Sequence, residues 1–154
     1  MSDALELDDQ VFAQVVKNAP LVSIDIILQD PQGKIFLGRR RNQPAKGKWF
    51  VPGGRIRKGE RLDQAIHRIV REELGVDSIS SAAEFVGVFE HFYEDNFAAE
   101  AGYGTHFVVL AYEFLLELPL TNLPPEQHTE FRWWDIEELI KSPEVHIYTK
   151  AYFS

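Results

Sequence analysis

Glu72 and Glu73 follow position 69 at the spacing of one helical turn. If residues 61–74 form a helix, positions 69, 72 and 73 stand at i, i+3 and i+4 and share one face. Carboxylates on such a face suit a hard cation such as Mg2+, which takes oxygen ligands, keeps several waters and is often shared with substrate phosphates. Upstream, the missing Cβ atoms of Gly53 and Gly54 let the backbone approach closely, so that a carbonyl can join the metal and amides can face phosphate. Taken alone, the acids also read as an exposed helical charge pair, with Arg68 and Glu72 at i, i+4. Position 69 is Ile, so this face offers two carboxylates, which favours one Mg2+ over several ions.

A second signal is charge. The formal net charge is -8, yet eight of the 16 Lys and Arg residues fall at positions 39, 40, 41, 46, 48, 55, 57 and 58. No Asp or Glu interrupts residues 31–59. That segment is either a solvated basic loop or a phosphate site. The acidic total argues against a general nucleic-acid binder, which needs clustered positive charge along a phosphate backbone.

The elements that position these residues alternate between strands and a few helices. Val11, Phe12, Val15 and Val16 are spaced for a helix over residues 8–18, ended by Pro20. Residues 21–29 and 34–39 predict a hairpin turning at Asp30-Pro31-Gln32-Gly33. A short strand at 49–51 runs into Pro52-Gly53-Gly54. Leu62, Ile66, Ile69 and Val70 mark the apolar face of a helix over 61–74, with Gly75 as its left-handed stop. Further strands are expected at 84–92, 105–117 and 129–134, the first two separated by a polar, Gly-containing loop over 93–104. Asp135 with Glu138 has the spacing of a capping box for a short helix ending at Lys141.

A chain of 154 residues has the size of one domain, and residues 1–154 are read as such. The absence of Cys excludes disulfides, thiolate nucleophiles and Cys-bound zinc. No apolar run approaches the roughly 20 residues that span a bilayer. The N-terminal residues carry no basic leader signature, so the expectation is a cytoplasmic protein without membrane or nucleic-acid partners.

Residues 54–76 then carry a specific pattern. Gly54, Glu60, Arg68, Val70, Glu72, Glu73, Gly75 and Val76 match eight of the nine fixed positions of Gly-x5-Glu-x7-Arg-Glu-U-x-Glu-Glu-x-Gly-U, where U is aliphatic; Ile69 is the departure. On these residues the chain resembles the Nudix hydrolases. The resemblance implies an α+β fold, a mixed β-sheet flanked by helices in an α/β/α sandwich. Segments outside the box resemble the Nudix subfamily that hydrolyses GDP-mannose: Pro20-Leu21-Val22-Ser23, Trp49-Phe50-Val51-Pro52-Gly53-Gly54-Arg55, His91-Phe92-Tyr93-Glu94-Asp95-Asn96-Phe97, Thr105-His106-Phe107-Val108-Val109-Leu110 and Glu126-Gln127-His128. That subfamily also lacks the Glu that Ile69 replaces.

This resemblance implies hydrolysis of a GDP-hexose to GDP and free sugar, by water attacking the sugar C1 with inversion. By matched position, His128 is the general base, and Gly53 (through its carbonyl), Glu73 and Gln127 are ligands of one Mg2+, for which Mn2+ can substitute. Arg40 and Arg55 match phosphate-contacting positions that stabilise the leaving group. Asp25, Arg68, His91 and Phe107 complete the substrate-binding set. Each has a plainer reading: Arg68 as a brace to Glu60, Asp25 as a solvent-facing strand residue, His91 as a packed histidine and His128 as an exposed loop histidine. At Phe107 the subfamily can carry a Tyr, whose hydroxyl is missing here. A homodimer is expected by the same analogy. Two other functions stay open, a Nudix diphosphatase cleaving the pyrophosphate of a nucleoside diphosphate derivative and a non-catalytic nucleotide-binding domain.

Overall fold

The computed structural model describes residues 6–77, 82–116 and 128–154, with His128 and Thr129 described by their backbone alone. Helix α1 (Asp9–Asn18) is opened by Asp8, whose carboxylate accepts from the Val11 amide at 2.9 Å. Strand β1 (Leu21–Gln29) follows and turns into β2 (Ile35–Arg40) through Gly33, at φ 83°. Ile24, Ile26, Ile27 and Leu28 are almost wholly buried, so both faces of β1 are covered and it is central in the sheet. It pairs in parallel with β6 (Thr105–Leu115), from Leu21 opposite Phe107 to Gln29 opposite Leu115. Strand β5 (Glu84–Tyr93) adds to β6 antiparallel and forms the edge. On the other side β2 is flanked by β3 (Trp49–Phe50) and β7 (His128–Trp134).

Helix α2 (Leu62–Leu74) covers one sheet face. Its buried residues Ala65, Ile69, Val70 and Leu74 pack on Ile24, Ile26, Leu28, Phe36 and Phe114. Gly75, at φ 69°, ends it and donates to the Arg71 carbonyl at 3.1 Å. Truncating Leu74 in this core costs about 2–5 kcal/mol. On the opposite face Ile27, Ile35, Leu37 and Ala111 meet Trp49, Val51, Trp134, Leu139 and Val145, beneath α3 (Ile136–Lys141) and α4 (Ile147–Lys150). The expected mixed sheet between helical layers is therefore present.

Two local expectations are corrected. Asp135 makes no side-chain cap bond; Glu138 instead accepts from Arg132 at 2.6 Å, and that guanidinium lies 4.0 Å above the Trp134 ring. A charge-assisted bond to a held partner outcompetes the capping box. Gly53–Arg55 also forms a strand, β4, antiparallel to Ser23, Ile24 and Asp25.

Candidate active site

The sheet divides where β1 changes neighbour. β4 lies against Ser23, Ile24 and Asp25, whereas β2 meets β1 only at Gln29. A cavity of about 240 Å3 opens at this division and is lined by Asp25, Arg40, Gly53, Arg55, Glu73, His91 and Phe107, among others. Residues from six strands and two helices thus converge on one space. An adjoining cavity of about 270 Å3 shares Gly53, Gly54, Arg55 and Glu73 with it and adds Arg68, Ile69 and Glu72. Positions 69, 72 and 73 do border one cavity, as the helical spacing predicts. Gln127 lies outside the described residues. His128 opens β7 and its backbone stands opposite Arg40, after a register shift that skips Thr129.

Close approach explains Gly53. A Cβ there would fall 2.5 Å from Asp25 Oδ1 and 2.6 Å from the Ile24 carbonyl, so any side chain would push β4 off β1. Asp25 is held in turn by the Tyr152 hydroxyl, which donates to Oδ2 at 2.5 Å. Burial pushes the Asp25 carboxyl up to about 6, against the lowering influence of the Tyr152 bond and the Arg40 charge. Burial also lowers the pKa of Arg40, a cost offset by the nearby Tyr93 phenol and the carboxylates of Glu73, Asp25 and Asp95. Its Nε donates to the Pro44 carbonyl at 2.9 Å and its guanidinium stands 5.7 Å from the Phe50 ring. Arg55 sits 4.9 Å over the Phe12 ring. Desolvation pulls its pKa down, and the nearby charges of Arg57 and Arg68 add to the effect. Two guanidiniums held in partly desolvated places are suited to an anion entering from solvent.

Arg68 is occupied differently. Its Nε and Nη2 bind both oxygens of Glu60 at 2.7 and 2.9 Å, Nη2 also reaches the Arg55 carbonyl at 2.7 Å, and Nη1 reaches Glu72 at 3.0 Å. The side chains of Arg68 and Glu60 are 9% and 0% exposed. This is the brace geometry: Arg68 ties α2 to the loop before it and to β4. Glu72 is drawn the same way, with Arg57 Nη2 a further 3.9 Å contact. Ile69, 1% exposed, packs on Gly54.

The donors near Gly53 bear on metal binding. Among the described residues no three His, Cys, Asp or Glu side chains cluster as a metal cage. The buried Glu73 carboxylate beside the Gly53-Gly54 backbone is instead a mixed carboxylate and carbonyl set, which fits a hard divalent ion that keeps waters or shares substrate oxygens, and not zinc.

The NUDIX domain model matches residues 19–153, nearly the whole chain and all of this site. The chain belongs to the NUDIX domain family. It is 40% identical over 111 residues to a low-salt glycan biosynthesis protein of Haloferax volcanii, covering 72% of this chain and 69% of that one. It is 29% identical over 128 residues to an RNA pyrophosphohydrolase of Caulobacter vibrioides, covering 80% and 74%. The fold is similar to the crystal structure of a MutT protein from Methanosarcina mazei, with TM-score 0.70, 19% identity and coverage of 88% and 92%. Tyr93, Gln43, Phe12 and Phe97 also line the cavity of this Nudix site and Tyr152 stands behind it, none of them marked by a sequence motif of its own. Tyr93 and Phe97 lie within the His91–Phe97 segment; Tyr152 has no local signal at all, being 127 residues from its partner.

Proposed function

We propose that this Nudix hydrolase cleaves a GDP-hexose, GDP-mannose in the first place, into GDP and free sugar by attack of water on the sugar C1 with inversion. The observation that carries the reading is a cavity lined by a single carboxylate of the box, Glu73, together with two partly desolvated guanidiniums. Ile69 fills the position of the missing Glu with a buried side chain, leaving Glu73 as the box carboxylate that lines the main cavity, while Arg40 and Arg55 line the same space. Such a site is built to withdraw charge from a departing diphosphate. The 40% identity to a glycan biosynthesis protein supports a substrate carrying sugar.

In this reading Glu73, the Gly53 carbonyl and Gln127 hold one Mg2+, replaceable by Mn2+, which when bound supplies positive charge to the phosphate oxygens. Arg40 and Arg55 take the β-phosphate. Asp25 and His91, which line the same cavity, meet the uncharged, hydroxyl-bearing sugar, since a carboxylate repels phosphate. His128 accepts the proton of the attacking water, for which an imidazole with an ordinary pKa of about 6.5 is suited. Arg68 is assigned to the scaffold.

The second reading is pyrophosphate cleavage, favoured by the 29% identity to an RNA pyrophosphohydrolase and by the retained Glu72. Turnover of GDP-mannose with Mg2+ in 18O-water separates the two. Label in mannose with release of GDP supports attack on carbon; label in GMP or mannose 1-phosphate sinks it in favour of phosphorus. Tight binding without turnover identifies a nucleotide-binding domain.

A further inference from the structure

The C-terminal segment contributes a wall behind the cavity. Thr149 Oγ1 accepts from the Val51 amide at 3.3 Å, and the His146 ring stacks 4.6 Å from Phe50. Tyr148 lies parallel to His91 at 4.2 Å, while its hydroxyl donates to the Phe92 carbonyl at 2.8 Å and accepts from the Phe92 amide at 3.0 Å. Phe50 and His91 line the cavity, so the segment is anchored to the site by two of its own residues. Next in the chain, Tyr152 meets Phe89 edge-on at 4.8 Å and donates its hydroxyl to Asp25 Oδ2.

The two oxygens of Asp25 therefore have separate duties. Oδ2 is held by Tyr152, and Oδ1 lies over Gly53, where a Cβ would come within 2.5 Å. The terminal torsion of an aspartate is soft, so packing alone leaves the carboxylate plane poorly defined. One short bond to a phenol that is itself fixed by ring packing selects the plane.

We propose that Tyr152 is a positioning residue of this active site: it fixes the Asp25 carboxylate so that Oδ1 accepts a hydroxyl from the uncharged part of the substrate. The proposal rests on the nucleotide-sugar reading above. It makes a residue of the last turn of the chain a determinant of how the substrate sits, while the diphosphate is held by Arg40 and Arg55. Removing the hydroxyl frees the carboxylate and leaves both guanidiniums in place, so productive orientation is lost before phosphate affinity.

The test is a double-mutant cycle of wild type, Tyr152→Phe, Asp25→Asn and the double variant. Tyr152→Phe keeps the ring on Phe89. With GDP-mannose and Mg2+ it lowers kcat/KM about 10- to 100-fold, on the scale of one lost orienting contact, whereas GDP affinity by calorimetry stays within about twofold. In the Asp25→Asn background the same change adds nothing beyond about twofold. Multiplicative losses in the double variant, an equal loss of GDP affinity, or a wild-type rate for Tyr152→Phe each overturn the proposal. If wild type leaves GDP-mannose intact but hydrolyses ADP-ribose, the substrate reading fails while the cycle, run on ADP-ribose, still decides the role of Tyr152. A wild type inert towards both overturns both.

Discussion

Ile69 lies against Gly54 so closely that a Cβ added to that glycine would stand 3.0 Å from Ile69 Cγ1. The contact joins α2 to β4 and places an aliphatic side chain where the box pattern has Glu. Ile69→Glu would set a third carboxylate beside Glu72 and Glu73 at the second cavity. Without metal, burial and like charge together destabilise the fold by about 2 kcal/mol, lowering the denaturation midpoint by about 4–8 °C. With millimolar Mg2+ the variant should recover more stability than wild type gains, because an added ligand raises differential affinity for the folded state. Equal Mg2+ shifts in the two proteins, by differential scanning fluorimetry, would show that position 69 does not reach the cation site.

The Arg68–Glu60 pair predicts an asymmetry between single and double changes. Both side chains are almost fully withdrawn from water, and Arg68 binds both oxygens of Glu60. Arg68→Met strands a buried carboxylate and costs about 3–5 kcal/mol. Adding Glu60→Leu to Arg68→Met removes the stranded charge and restores part of the loss. Urea denaturation of wild type, Arg68→Met, Glu60→Leu and the double variant measures it. If the double variant is as unstable as the sum of its singles, the pair is not the brace that joins α2 to β4.

How much of this was legible beforehand follows from where the signal resides. β1 and α2 carry strong periodicities and clear stops at Pro20, Gly33 and Gly75, so they were placed nearly to the residue. β4 was not, because Gly-Gly-Arg has little intrinsic strand preference and pairs only through the close approach that Gly53 allows over Asp25. The site residues inside the box were legible as a contiguous pattern, but the sequence left Arg68 open between substrate and brace. Its three-way bonding to Glu60, Glu72 and the Arg55 carbonyl is tertiary information. The same holds for α4 and Tyr152, whose partners lie far back in the chain.

His91 should shape the acid limb of stability. Burial holds its imidazole down to about 4, with the charge of His146 acting in the same direction. In the unfolded chain the ring takes a proton near its ordinary value of about 6.5, while the folded protein resists until about 4. Between these values the unfolded state binds more protons, so stability falls as pH falls, by up to about 3 kcal/mol across the window. His91→Phe keeps a ring against Tyr148 and removes the titration. Its midpoint should drop less than that of wild type from pH 6.5 to 4.5 in buffered thermal melts; parallel curves would assign the acid sensitivity to other groups.

The proposed base sets the final expectation. The backbone of His128 stands beside that of Arg40, which lines the cavity, and the β2–β7 register shifts at this point. Strand irregularities of this kind occur next to active sites, where they redirect a side chain without moving the sheet. If His128 is the base, His128→Gln should lower kcat by two to four decades with GDP-mannose, the usual range for a lost general base. KM and the Mg2+ requirement should change little, because Arg40, Arg55 and Glu73 are untouched. The kcat profile of wild type should also lose its acid limb in the variant, since the group whose protonation blocks base catalysis is gone. A variant that retains wild-type kcat, or one whose defect is confined to KM, would move the base elsewhere in the cavity and leave His128 as a strand residue.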